Sequence, residues 1–231
     1  DGECDCDGVV EEDECGVCGG DNTSCIPSVF FSEYHKSLVN EMLIDESYEY
    51  TCNNDGNSTI CQFAFLEIFN PTIETVDLSD FSIKSCSDGC DYQNFTDSEP
   101  LSGYLQAGDT YLICNLHIEE PPGTSYSYEG CDKWVDNLNG ENQTWGLVEN
   151  ESDILLDIIG SLDEDNPGAG WEVAGIPNAT RDKIMIRKAS VLTGNYGDWE
   201  LSAGTNLSDS EWLLFDAYRN SLWHNSSTNS N

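Results

Sequence analysis

The sequence predicts an all-β fold, a two-sheet sandwich with a small disulfide-rich arm at its N-terminus. Three observations lead there. From Ser28 onward, short apolar and polar runs alternate, with Gly, Pro, Asn and Asp clustered between them at 53–56, 88–89, 121–123 and 166–170. This is the pattern of half-buried strands joined by turns. Long helical periodicity is missing. The chain also holds 11 cysteines, which staple small domains in oxidising compartments.

In chain order, residues 1–27 form the arm. Cys4, Cys6, Cys15, Cys18 and Cys25 stand there among almost no aliphatic residues. Such a segment cannot bury an apolar core, so disulfides, a metal or a neighbouring chain must order it. Residues 28–218 form the main domain. Strands are expected at Val29–Tyr34, Phe63–Phe69, Phe81–Lys84, Thr110–Cys114, Trp145–Val148, Ile154–Ile159, Lys183–Arg187 and Trp212–Phe215. Short strands in this number suit two packed sheets. Only Tyr34–Met42 reads as a few helical turns. Residues 219–231 are a polar tail.

Six cysteines fall in the main domain as three neighbouring pairs, and bridges are expected at Cys52–Cys61, Cys86–Cys90 and Cys114–Cys131. Local pairing makes few geometric demands beyond a suitable Cα separation. The arm's odd number leaves one sulfur free, bonded to another chain, or paired with a cysteine removed by processing. The chain begins at Asp1 and has no apolar run of membrane-spanning length, so it reads as a processed product without a membrane span.

Asp and Glu total 44 against 8 Lys and Arg, a formal net charge of -36. That surface repels phosphate backbones and anionic lipid, which argues against nucleic-acid and membrane-surface partners. It favours cations, and it also keeps an extracellular protein soluble. Asn-x-Ser/Thr acceptors for N-linked glycans stand at Asn22, Asn57, Asn94, Asn142, Asn150, Asn178, Asn206 and Asn225.

Chemical motifs are sparse. Asp5, Asp7, Asp13 and Asp21 lie beside glycines in the arm and offer hard oxygen donors for a structural calcium; without EF-hand spacing, solvated carboxylates are the competing reading. Cys15 and Cys18 have a zinc-ligand spacing, but zinc needs reduced thiolates and an oxidising compartment removes them. No Gly-x-Ser-x-Gly, His-Glu-x-x-His or phosphate loop occurs. His35, His117 and His224 sit in unrelated contexts and read as surface residues. Glu33 and Glu67 lie in expected strands, where a structural hydrogen bond is preferred to a glycosidase pair. No cofactor is required and no catalytic residue is assigned.

Several stretches resemble the bacterial-type lamin tail domain. They are Val29–Tyr34, Phe65–Pro71, Thr75–Ser79, Leu105–Asn115, Asp157–Gly160, Gly170–Gly175, Ala179 with Thr180, Leu192–Asn195, Asp198 with Trp199, and Ser208–Trp212. The resemblance covers about residues 28 to 215 and implies an immunoglobulin-like β-sandwich acting as a non-catalytic interaction module. It places Trp171, Trp199 and Trp212 in the core and leaves Trp134, Trp145 and Trp223 as candidates for glycan contact. The chain departs from the pattern at Asn139–Asn142 and by an insertion from Lys36 to Gln62. The arm is similar to acidic Cys-Gly-x-Cys-Gly-Gly-Asp-Asn repeats of extracellular multidomain proteins.

These readings lead to a secreted or cell-surface, non-catalytic structural subunit that associates with copies of itself in a filament, appendage or sheath, with its arm touching a neighbour. The alternative is a processed accessory domain that tethers a larger secreted protein to a surface, a glycan or another extracellular protein.

Overall fold

A computed structural model describes residues 28–40, 60–87, 95, 97–116, 130–135, 138, 142–162 and 167–216. The described residues are mostly β-structure. The strands are β1 (Phe30–Asn40), β2 (Ile60–Phe69), β3 (Val76–Asp77), β4 (Phe81–Cys86), β5 (Asp97–Pro100), β6 (Tyr104–Leu105), β7 (Thr110–Leu116), β8 (Lys133–Trp134), β9 (Thr144–Glu149), β10 (Ile154–Ile159), β11 (Lys183–Arg187) and β12 (Trp212–Asp216). Two short helices, α1 (Ala179–Asp182) and α2 (Trp199–Ala203), lie in the connections.

The strands form a six-stranded sheet in the order β12-β11-β1-β2-β7-β8, a four-stranded sheet β10-β9-β4-β5, and the small pair β3-β6. Both larger sheets feed one apolar core. Phe31, Tyr34, Leu66, Ile68, Ile113, Met185 and Trp212 enter from the first, and Ile83, Trp145, Leu147 and Ile158 from the second. Alternation produces this directly: successive side chains of a strand point to opposite faces, so Tyr34, Leu66 and Ile113, aligned across three strands, share the buried one.

The stretch expected to form helical turns is strand instead. Tyr34–Asn40 continues β1, and the pairing runs from Phe30 opposite Phe69 to Asn40 opposite Ile60. His, Ser, Val and Asn have weak helix propensity, and a partner strand on each side of Tyr34 decides the outcome. The apparent insertion from Lys36 to Gln62 therefore includes a lengthened hairpin: Lys36 pairs with Ala64 and Leu38 with Gln62. Residues 41–59, which include Cys52, lie outside the described residues.

Loop geometry rests on a few side chains. Asn70, fully buried after β2, donates through Nδ2 to the carbonyls of Glu74, Leu105 and Gln106 and accepts from the Thr72 amide. A buried amide so satisfied fixes the chain reversal that brings β3 beside β6. Gly160, at the end of β10, has φ of 96°, and a Cβ there would stand 2.5 Å from Trp171 Nε1. The turn thus needs glycine both for its left-handed backbone and for room. Trp171 Nε1 donates to the Gln143 carbonyl at 3.1 Å, which ties the loop after β10 to the start of β9.

The bridge Cys114–Cys131 is present, with a Cα separation of 5.9 Å. It holds β8 against β7, where Cys114 aligns with Trp134 in a parallel pair. Cys86 is also disulfide-bonded; Cys90 lies outside the described residues.

Candidate interaction surface

Register defines what the six-stranded sheet presents on the side away from the core. One row across it reads Phe215, Ile184, His35, Phe65, Cys114 and Trp134. The next reads Leu213, Ile186, Glu33, Glu67 and Leu112. A sheet with one face in water usually carries polar residues there. This one carries apolar residues with two carboxylates at its centre. Leu213 is 43% exposed, Phe215 49% and Trp134 42%; Ile184, Ile186, Phe65 and Leu112 are half-buried. Apolar side chains left exposed together on one sheet face mark a candidate contact surface.

The centre of that face is electrostatically loaded. Glu33 and Glu67 are direct cross-strand partners. Burial, and then the like charge of Glu67, hold the Glu33 carboxyl above its ordinary pKa. A bulge in β1 between Phe31 and Glu33 brings Ser32 round, and its hydroxyl donates to Glu67 Oε1 at 2.7 Å. His35 stands edge-on to Phe65 with ring centroids 5.1 Å apart, and burial pushes its pKa down to about 4. His35 is thus a neutral imidazole in an apolar row, which corrects the expectation of a surface histidine. The neighbouring strands, with Phe65 beside it, half-bury the ring.

Behind the face, a buried polar cluster locks the two sheets together. Asp157 of β10 is fully buried and accepts from the Phe31 amide at 2.8 Å, across to β1. It also accepts from the amides of Ile158 at 3.0 Å and Asn195 at 3.1 Å, and from Arg187 of β11 at 2.7 Å. Both strands are irregular here: β1 has its bulge at Phe31/Glu33 and β10 another at Leu155/Asp157. A bulge frees backbone groups from the ladder, and a carboxylate within reach takes up the donors. Burial raises the Asp157 pKa, against the pull of Arg187 and the three amides. Arg187 reaches on to Glu211 at 2.7 Å and lies 4.3 Å over the Trp212 ring. That ring donates to Ser202 of α2 at 3.0 Å.

The same cluster closes the free edge of β10. Asn195 donates to the Ile158 carbonyl at 2.8 Å and accepts from its amide at 3.0 Å, while the Tyr196 amide donates to the Leu156 carbonyl at 3.1 Å. Gly194 permits this approach: a Cβ there would stand 2.1 Å from the Leu156 oxygen. Neither Asp157 nor Arg187 was singled out from the sequence as a functional or structural site residue. The available signal was an acid within the apolar run Ile154–Ile159 and an arginine ending β11, both inside strands.

Of the residues singled out by sequence, Trp171, Trp199 and Trp212 are buried, as expected. Trp145, left as a candidate for glycan contact, is only 1% exposed. It lies in the middle strand between β4 and β10, opposite Ser85 and Ile159, with both flanks occupied. Trp134 is exposed at the β8 end of the apolar face. Asp5, Asp7, Asp13, Asp21, His117, Trp223 and His224 lie outside the described residues, as do Asn22, Asn57, Asn94 and Asn225. Asn150 uses its amide on the Ser79 carbonyl at 3.0 Å and accepts from Ser82 at 2.6 Å. Asn206 donates to Asp209 at 2.6 Å. Asn178 precedes α1 in a left-handed conformation, and Asn142 is half-buried before β9.

Among the described residues, no group of three or more His, Cys, Asp or Glu is arranged to hold a metal ion. No helix among them is long and apolar enough to cross a membrane. The chain matches no protein-family model and no curated protein.

Proposed function

We propose that this protein is a non-catalytic extracellular structural module, an immunoglobulin-like sandwich of the lamin-tail type, that builds a filament, appendage or sheath from copies of itself. The observation that carries the reading is the apolar outer face of the six-stranded sheet. A chain with net charge -36 has ample polar residues to cover one sheet, yet Leu213, Phe215 and Trp134 stand exposed on it beside half-buried Ile184 and Ile186. Leaving that surface in water is costly, and association removes it.

The lamin-tail reading draws support from the buried cluster. Stretches that carry the resemblance but lie far apart in sequence meet there: Phe31, Asp157, Asn195 and Trp212 all border Arg187 or its carboxylate partner. Motifs that share one packed network are read as determinants of a fold. The arm, with its odd cysteine, is assigned to contact with a neighbouring subunit, and structural calcium and N-linked glycans are assigned to the acidic arm and the acceptor asparagines.

Electron microscopy of the secreted material, with calcium and without reductant, tests this directly. Regular filaments, tubes or sheets are expected. Dispersed single particles at all concentrations would refute assembly. They would favour the second reading, a domain tethering a larger protein to a glycan, for which the exposed Trp134 at the end of the face is the motivating residue. Selective binding on a glycan array, lost in Trp134→Ala, would establish that alternative.

A further inference from the structure

We infer that β12 is a self-pairing edge: two copies of the chain join their six-stranded sheets by aligning β12 antiparallel to β12 of the partner subunit. This inference rests on the self-association proposed above and names one contact of it, a two-fold one that joins copies in pairs.

Among the described residues the two larger sheets have four edges, and three of them are ill suited to pairing. The edge of β10 is capped, its Leu156 and Ile158 groups bonded to Asn195 and Tyr196. At the far edge of the same sheet, β5 reads Asp-Ser-Glu-Pro, with two acids and a proline that donates nothing to a ladder. At the other end of the large sheet, β8 is two residues long. The remaining edge, β12, is a five-residue strand, Trp-Leu-Leu-Phe-Asp. Among the described residues only β11 aligns with it. An apolar edge strand of this kind is a template for another strand.

Charge selects the occupant. A body of net charge -36 repels its own copy over most of its surface. At β12 that repulsion is locally cancelled, because the acids at its two ends are each paired with a cation of β11: Asp216 with Lys183, and Glu211 with Arg187. Between them the strand is uncharged. Two copies therefore meet here without bringing unpaired carboxylates together, whereas a cationic partner finds no free acid on the strand and gains nothing over the rest of the surface.

The sequence of the strand is also self-complementary. Antiparallel pairing about Leu214 sets Leu213 opposite Phe215 of the partner subunit and Phe215 opposite the partner's Leu213, a two-fold contact in which one patch serves both sides. Aliphatic–aromatic cross-strand pairs of this type stabilise antiparallel ladders. The apolar outer face then runs on across the dyad from one copy to the next.

Sedimentation velocity of the full chain over a concentration series tests the inference, comparing the wild type with Phe215→Lys and with Tyr104→Lys. Phe215 is 49% exposed and Tyr104 73% exposed, so both lysines are accommodated in the monomer, and thermal unfolding of each variant checks this. Concentration-dependent association is expected in the wild type and in Tyr104→Lys, with at least a tenfold weakening in Phe215→Lys. Association that persists undiminished in a folded Phe215→Lys would overturn the β12 pairing while leaving the assembly reading standing. A wild type that remains monomeric throughout would overturn both. In that case, hydrogen-exchange protection of the Leu214 amide, which the register with β11 turns towards the open edge, would identify another segment of the same chain as the cover.

Discussion

Replacing Asp157 with alanine removes the acceptor that the fold has arranged around four donors. The amides of Phe31, Ile158 and Asn195 and the Arg187 guanidinium all point at this carboxylate, which has no exposed surface. Deleting it leaves a buried cation half-paired and takes the carboxylate acceptor from the amides of Phe31 and Asn195, while the Ile158 amide keeps Asn195. Loss of one member of a buried ion pair costs about 3–5 kcal/mol, since the remaining charge is left in a medium of low dielectric. Against a total stability of about 5–15 kcal/mol, that is a large fraction of the fold. For a domain of this size it corresponds to a fall in Tm of roughly 6–20 °C. Urea unfolding followed by tryptophan fluorescence measures the loss, with Trp212 reporting from beside Arg187. The double variant Asp157→Leu with Arg187→Met removes both charges and is expected to lose less than Asp157→Ala alone. A single-variant loss below about 1 kcal/mol, the worth of an ordinary exposed pair, would refute the assignment of Asp157 as the lock between the sheets.

Replacing both Cys114 and Cys131 with serine opens a bridge of sequence separation 17 and is expected to cost about 3 kcal/mol, read as a lower urea midpoint. His35 makes stability pH-dependent with a definite sign. Its folded pKa, about 4, lies below the ordinary 6.5, so the unfolded chain takes up the proton first. The His35 contribution is intact above pH 6.5 and lost as the pH falls towards 4, on the order of 3 kcal/mol in full. In His35→Phe that component disappears, which the difference between wild-type and variant unfolding free energies at pH 7, 5 and 4 measures. Gly194→Ala would push a Cβ to 2.1 Å from the Leu156 oxygen and force the 194–197 turn off β10. A loss of about 1–3 kcal/mol is expected, together with faster hydrogen exchange at the Ile158 amide, which loses Asn195 as one of its two acceptors.

Period-two alternation and turn residues determine much of this protein without any tertiary information. Ile154–Ile159 and Lys183–Arg187 are strands with the bounds that their side chains dictate, because β-branched residues between turn clusters have no competing local structure. Cys114 and Cys131 pair as their neighbourhood suggests. What alternation cannot supply is the identity of the neighbours. His35 was read as a surface residue and Trp145 as a candidate for glycan contact; strands remote in sequence half-bury the first beside Phe65 and bury the second between β4 and β10. Tyr34–Asn40 is extended because β2 offers it a continuous ladder, an interaction with residues on the far side of 41–59. Asp157, an acid in an apolar run, would locally be assigned to solvent; two bulges on different sheets turn it inward onto the Phe31 amide and Arg187. Sequence by itself located eight of the twelve strands and one bridge, missing the short β3, β5, β6 and β8 and the second half of β1, since local sterics and short-range pairing suffice only for the longer apolar runs. Only the tertiary structure decided which face of each strand is wet, which edge is open and which charge is buried, because these depend on register between distant segments.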